Sequence, residues 1–224
     1  MLQANSEFKR RAKKQLQGKW LEAAILSLIA WLLTTAGGGV VETVQYVWQN
    51  GVLVSVPAAP SSFNGISNLL SIVLGGPIAL GVAGYFLKLI RQEGPIIEDL
   101  FGGFKFFIKA FVLNIMITIF TLLWTLLLII PGIIAYLRYS MSYYIMTDNP
   151  QLSAFEALNQ SKFMMAGYKG KLFRLWLSFF GWFLVGIITL GIGFLWVLPY
   201  YNTAKANFYQ DLLKSSKFFP KNPK

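Results

Sequence analysis

Arg138 falls inside an apolar run, with Tyr139, Ser140, Ser142, Tyr143 and Tyr144 close by on the same segment. Roughly 15 Å of helix separates it from Asp148, at about 1.5 Å rise per residue, which is a long way to snorkel. An ionisable group so placed should face a protein interior or a wet cavity, and it is a functional-site hypothesis by default. A second segment supplies Tyr200, Tyr201, Asn202, Thr203, Lys205 and Asn207. Two cations among many hydroxyl and amide donors, with no carboxylate between them, suit a phosphate or carboxylate headgroup, or backbone carbonyls. The ligand-binding set read from this pattern is Arg138, Tyr139, Ser142, Tyr201, Asn202 and Lys205. A structural reading competes with it. Arg138 then caps carbonyls at a broken helix, and Lys205 snorkels to the interface about two turns away.

Other chemistries lack their residues. The chain has no His and no Cys, which removes the commonest general base, thiolate chemistry and disulfides. No His/Asp/Glu cluster offers a metal site, and no cofactor is expected. The glycines at Gly37–Gly39 and Gly75-Gly76 lack the Gly-Lys-Ser/Thr ending of a phosphate loop. All nine acids can be placed outside the hydrocarbon, which argues against proton-coupled transport. The expectation is a protein that is not an enzyme.

These residues must be positioned by membrane helices. The chain of 224 residues is 55% hydrophobic and 13% charged, about half the charge of a soluble domain. Lys and Arg cluster before the first apolar run, in the gap after the second, before the fifth and after the last. The alternate gaps, Ala36 to Gly65, Pro131-Gly132 and Thr189 to Gly193, contain neither. This is the positive-inside pattern, and it places both termini in the cytoplasm. The net charge of +11 is therefore matched to anionic lipid headgroups, not to nucleic acid. The fold class expected is all-α: one membrane domain of six transmembrane helices in three hairpins, with interfacial amphipathic helices.

Residues 1–19 read as a basic amphipathic helix, with Phe8, Ala12 and Leu16 on one face. Lys9, Arg10, Arg11, Lys13 and Lys14 would meet the lipid surface, or simply anchor span one. The first run is read as an uncleaved span rather than a signal peptide. The expected spans are 20–35, 66–90, 107–130, 133–146, 172–189 and 194–212. Loop 36–65 carries Gln49-Asn50-Gly51 between β-branched and aromatic runs, a hairpin signal. The rival is a first span extended as helix to about Trp48. Tyr46, Trp48 and Asn50 are the partner-binding candidates there. Gly75-Gly76-Pro77 is expected to kink span two, and Gly81, Ala83 and Gly84 to allow close helix contact. Pro95 should open a short helix that Gly102-Gly103 ends. Pro131-Gly132 is read as a tight outer turn. A cytoplasmic interfacial helix follows over 150–167, capped by Asn149 or by the box Ser153-x-x-Glu156, with Ala154, Phe155, Leu158 and Met165 on one face. A basic tail, 213–224, closes the chain. Pro77, Pro131 and Pro199 recur in the even spans, a weak internal repeat of the kind common in transporters.

Two stretches carry a resemblance. They are GPIALGVAGYFLKLIRQEGPIIEDLFGGFKFF, at Gly76–Phe107, and LLLIIPGIIAYLRYSMSYYIMTDNPQLSAFEALNQSKFMMAGYKGKLFRLWLSFFGWFLVGIITLGIGFLWVLPYYNTAKANFYQDLL, at Leu126–Leu213. With the basic N-terminus, they resemble the bacterial integral-membrane proteins of domain-of-unknown-function family 975. The resemblance implies a bacterial plasma-membrane protein, mainly of Gram-positive species, with about six helices. It supplies no activity and no site residues. The function expected is association: with a membrane-protein partner, with a membrane-active peptide or toxin as an immunity protein would, or with an anionic lipid. The alternative is a passive or partner-driven transporter or channel for an anionic or amphipathic solute.

Overall fold

The computed structural model describes residues 2–35, 44–49, 52–57 and 62–215. Ten α-helices account for most of them. Helix α1 (Asn5–Gln15) leads into α2 (Trp20–Thr35) through a break at which the two axes bend by 104°. Gly18 makes the break possible by taking φ +77°, a left-handed conformation that costs other residues energy. Strands β1 (Val44–Gln49) and β2 (Val52–Pro57) pair antiparallel, with Gln49 opposite Val52. Asn50, and the side chains of Tyr46 and Trp48, lie outside the described residues.

Helix α3 (Ser62–Arg91) is the central post, with Pro77 inside it, and it packs against α2, α4, α6 and α10. A 3-10 helix over Ile97–Phe106 lies against it and runs directly into α4 (Phe107–Leu127). The glycines Gly102-Gly103 therefore do not end this helix. Gly103 is needed for contact, because a Cβ there would fall on the Pro77 carbonyl. Likewise a Cβ on Gly81 would overlap the carbonyl of Leu100, so two backbones touch where side chains would normally intervene.

The turn after α4 falls at Leu128, which is extended at φ −163° and ψ 147°, and not at Pro131-Gly132. Both of those residues lie inside α5 (Ile129–Tyr139). Pro131 fits because it sits in the first turn, where its missing N–H would have had no intrahelical partner. The span expected over 133–146 is split by a break at Ser140-Met141 into α5 and α6 (Ser142–Asp148). Helix α7 (Ala154–Met164) takes Ser153, not Asn149, as its cap. The Glu156 amide donates to the Ser153 hydroxyl, and the Glu156 carboxylate accepts from the Ser153 amide at 2.8 Å. Bonds from Ser153, the backbone one foremost, hold the Glu156 carboxyl below its usual range. The cap therefore acts in full above the ordinary carboxylate pKa and fades as pH falls through the lowered value. The buried face of α7 is Ala154, Ala157, Leu158 and Ser161, followed by Met165, whereas Phe155 points outward and is 58% exposed.

Helices α8 (Lys169–Ser178) and α9 (Phe180–Ile188) follow, and α10 (Phe194–Ser215) returns along α1, α2 and α3. The apolar face of α1 is fully covered: Phe8, Ala12 and Leu16 are all buried, and Phe8 meets Phe208 edge-on at 5.5 Å. That face rests on α10 and is not free to enter a lipid surface. Burying one Phe is worth about 1.5–3 kcal/mol, enough to hold α1 down.

Among the described residues three helices are long and apolar enough to cross a membrane, Leu70–Arg91, Ile97–Leu127 and Lys169–Ile188, with a fourth if the bent α1–α2 pair is one span. Leu122, Leu126, Ile129 and Ile130 around the α4–α5 turn are exposed, as is Ile188 of α9, and apolar exposure on this scale marks contact with a membrane or a partner.

Candidate functional site

Five helices surround a cavity of about 330 Å³. Each presents one stripe at helical spacing: Ser27, Ala30, Trp31 and Thr34 from α2; Gly75, Ile78 and Val82 from α3; Leu198, Asn202 and Lys205 from α10. Tyr136 and Ser140, the residue capping α5, add a fourth side, and Tyr143 and Tyr144 of α6 a fifth. The Lys205 ammonium lies 5.7 Å from the centre of the Tyr144 ring. That placement is within cation–π range. It has no ion pair among the described residues, although carboxylates neutralise Arg11, Lys88 and Arg91 elsewhere. The hydroxyl of Ser27, a residue only 6% exposed, is buried at this cavity without a hydrogen-bond partner among the described residues. The Tyr143 hydroxyl donates to Asn114 Oδ1 at 2.9 Å, and Asn114 in turn donates to the Ile72 carbonyl.

The structure brings together only part of the set expected from sequence. Asn202 and Lys205 line the cavity. Arg138 does not, because it lies two residues from both Tyr136 and Ser140 and so falls on the opposite side of α5. Arg138 is half-buried, and its side chain has no hydrogen bond or ion pair among the described residues. Tyr139 is buried against Phe120 at 6.1 Å. Ser142 is fully buried, and its hydroxyl has no partner among the described residues. Tyr201 packs edge-on against Phe179 and lines a second cavity, of about 290 Å³, bounded mainly by apolar side chains.

The break between α5 and α6 is held by Ser161 of α7. Its hydroxyl donates to the Arg138 carbonyl at 2.9 Å and accepts from the Met141 amide at 3.2 Å. The residue that bonds the broken backbone is therefore Ser161, not the Arg138 side chain. Ser161→Ala strands a buried carbonyl and a buried amide, a loss of about 1–3 kcal/mol. The expected result is a clear drop in melting temperature in detergent; an unchanged melt would remove this role.

At the shared end of α3, α6 and α10 lies a polar knot that sequence reasoning missed. Arg91 donates two parallel bonds to Asp148, both 2.8 Å, and two more to Gln210 Oε1. The Tyr209 hydroxyl also donates to Asp148, at 3.0 Å. Beside it, Arg11 reaches Asp211 at 3.1 Å, and Asn207 donates to Gln15 at 2.6 Å. The run Tyr209-Gln210-Asp211 was the available signal: polar residues in a helix that is otherwise buried.

The basic residues of α1 are partly committed to protein partners. Arg11 holds Asp211 and Glu7, Arg10 holds Glu7, and Lys9 donates to the Ser178 carbonyl at 2.6 Å. Lys13 and Lys14 are exposed.

Apolar helices of membrane-crossing length among the described residues, one of which (α3) lines the Lys205 cavity, mark a helical membrane-associated protein. The chain belongs to the family described as Protein of unknown function (DUF975), whose sequence profile matches residues 1–135 and 125–216. No curated protein and no solved structure matches the chain significantly.

Proposed function

We propose that the chain is a non-enzymatic, six-span plasma-membrane protein with both termini in the cytoplasm, and that it binds a phosphate- or carboxylate-bearing anion inside the helix bundle. One observation carries the reading. Lys205 faces a cavity lined by several hydroxyls and the Asn202 amide, and among the described residues no carboxylate neutralises it. A cation in a low-dielectric interior is costly unless paired, so a bound anion completes the site. Asn202, Tyr144 and Ser27 supply neutral hydrogen-bonding groups around it. The residues lining the cavity include no His, Cys, Asp or Glu to act as general acid or base, which fits binding rather than catalysis.

The test is anion retention by the purified protein in a zwitterionic detergent, using phosphatidylglycerol as the probe and native mass spectrometry as the readout. Lys205→Met should weaken binding about tenfold or more, the scale of one charge-assisted hydrogen bond. Wild-type affinity in Lys205→Met, with the melting temperature kept, would sink the reading.

A further inference from the structure

The second cavity adjoins the first, and Tyr136 and Ser140 line both. Their characters differ. The first carries Lys205, Asn202 and Ser27. The second is walled by Ile129, Ile133, Leu137, Leu172, Phe173 and Trp176. Its wall also includes Thr121, whose hydroxyl is buried without a partner among the described residues. On the outer side of α5, Ile129, Ile130 and Ile134 are exposed and continue the apolar surface. A cationic compartment, an apolar compartment and an apolar approach are the three parts that an amphipathic anion requires.

We infer that the ligand of the Lys205 cavity is a membrane lipid, with its anionic headgroup in the first cavity and its apolar chain in the second, the two meeting at Tyr136 and Ser140. The inference rests on the anion-binding reading of Lys205. It adds the class of ligand and its route, sideways from the bilayer between α4, α5 and α8. Because hydrocarbon in a bilayer is already as apolar as these side chains, the second cavity adds little affinity. Its role is permissive: it gives the chain an apolar place to lie while the headgroup reaches Lys205. An apolar chain with no such place would have to lie against polar groups or bend back, and binding would fail.

The test separates headgroup from chain. Butyl phosphate and hexadecyl phosphate are bound to wild type and to Ile129→Trp, Ile133→Trp and the double variant, all full-length and in one detergent. Both positions are exposed enough to accept an indole without disturbing the core. Native mass spectrometry counts the bound ligand, and melting temperature reports folding. The expected result is that the Trp variants lose hexadecyl phosphate tenfold or more and keep butyl phosphate at wild-type strength. Equal retention of both ligands by folded Trp variants overturns the inference. So does loss of both in folded variants, or a wild type that binds butyl but not hexadecyl phosphate. Lys205→Met probes the underlying reading separately, since it should weaken both ligands; if it weakens neither, the anion site itself fails.

Discussion

Gly81→Ala should lower the melting temperature of the protein by about 6–12 °C, for a loss near 3 kcal/mol at roughly 2–4 °C per kcal/mol for a chain of this size. An added Cβ would fall on the backbone carbonyl of Leu100, in the 3-10 helix that lies along α3. Neither partner is a flexible side chain, so neither can rotate away. The two elements must separate, and the buried residues around the contact, Leu80 and Leu100, lose neighbours together. Gly84→Ala is the internal control on the same helix. Its Cβ would meet Thr147 Cγ2 at 3.6 Å, an ordinary contact. There the gain in helix propensity, about 0.5–1 kcal/mol, should leave stability unchanged or slightly raised. Equal melting temperatures for the two variants would disprove the close approach of α3 to the 3-10 helix. The contact bears on function because α3 also supplies Gly75, Ile78 and Val82 to the first cavity. A displaced α3 would reshape the site without touching Lys205.

Local patterns made much of this fold readable before the structure, and non-local partners did not. Phe8, Ala12 and Leu16 announced one apolar face at helical spacing, but spacing cannot say whether lipid or α10 covers that face, since both are apolar. The box Ser153-x-x-Glu156 marked the start of α7, because its two bonds are made within four residues. Helical spacing puts Phe155 on the apolar face of α7, but Ala157 and Ser161, one turn apart, are small enough to sit against the α5–α6 break, and Phe155 is turned outward. Pro131-Gly132 carries the turn signal in the sequence because Pro and Gly usually interrupt helices. Pro is equally at home in a first turn, while Leu128 carries no turn signal at all. Arg138 attracted notice as the charge deepest in an apolar run. Its separation of two residues from Tyr136 and Ser140 already put it on the other side of α5, but only knowledge of which side holds the cavity gives that fact meaning. Lys205 and Asn202 were readable as a pair, being three apart on one helix. Arg91 and Asp148 were not. They lie 57 residues apart in sequence, and each looked like an ordinary charge at the end of a span.

That pair should govern stability. Arg91→Ala is expected to cost about 3 kcal/mol, the low end of the range for breaking a buried ion pair. The low end applies because the side chains keep 28% and 18% of their exposure, so solvent screens part of the interaction. The loss is still large, because Arg91 makes four bonds at once and its removal leaves Asp148 with the Tyr209 hydroxyl as its one side-chain donor among the described residues. Asp148→Asn keeps the shape and one acceptor but removes the charge and the bidentate fit, so its cost should be smaller than that of Arg91→Ala. A double-mutant cycle with Arg91→Leu and Asp148→Leu should show coupling of about 1–3 kcal/mol, with the double variant more stable than the sum of the single losses predicts. Arg10→Ala is the contrasting case. Arg10 also pairs with a carboxylate, Glu7 at 2.9 Å, but its side chain is 79% exposed, and no change in melting temperature is expected. Additive losses in the cycle would remove the knot as a unit. The knot ties the ends of α3, α6 and α10, three of the helices that line the Lys205 cavity. Variants that loosen it should therefore release a bound anion faster as well as melt earlier, although Arg91 and Asp148 do not line that cavity. Native mass spectrometry of Asp148→Asn checks this directly: phosphatidylglycerol lost on dilution faster than from wild type is the expected outcome, and identical retention would show that the cavity keeps its shape without the knot.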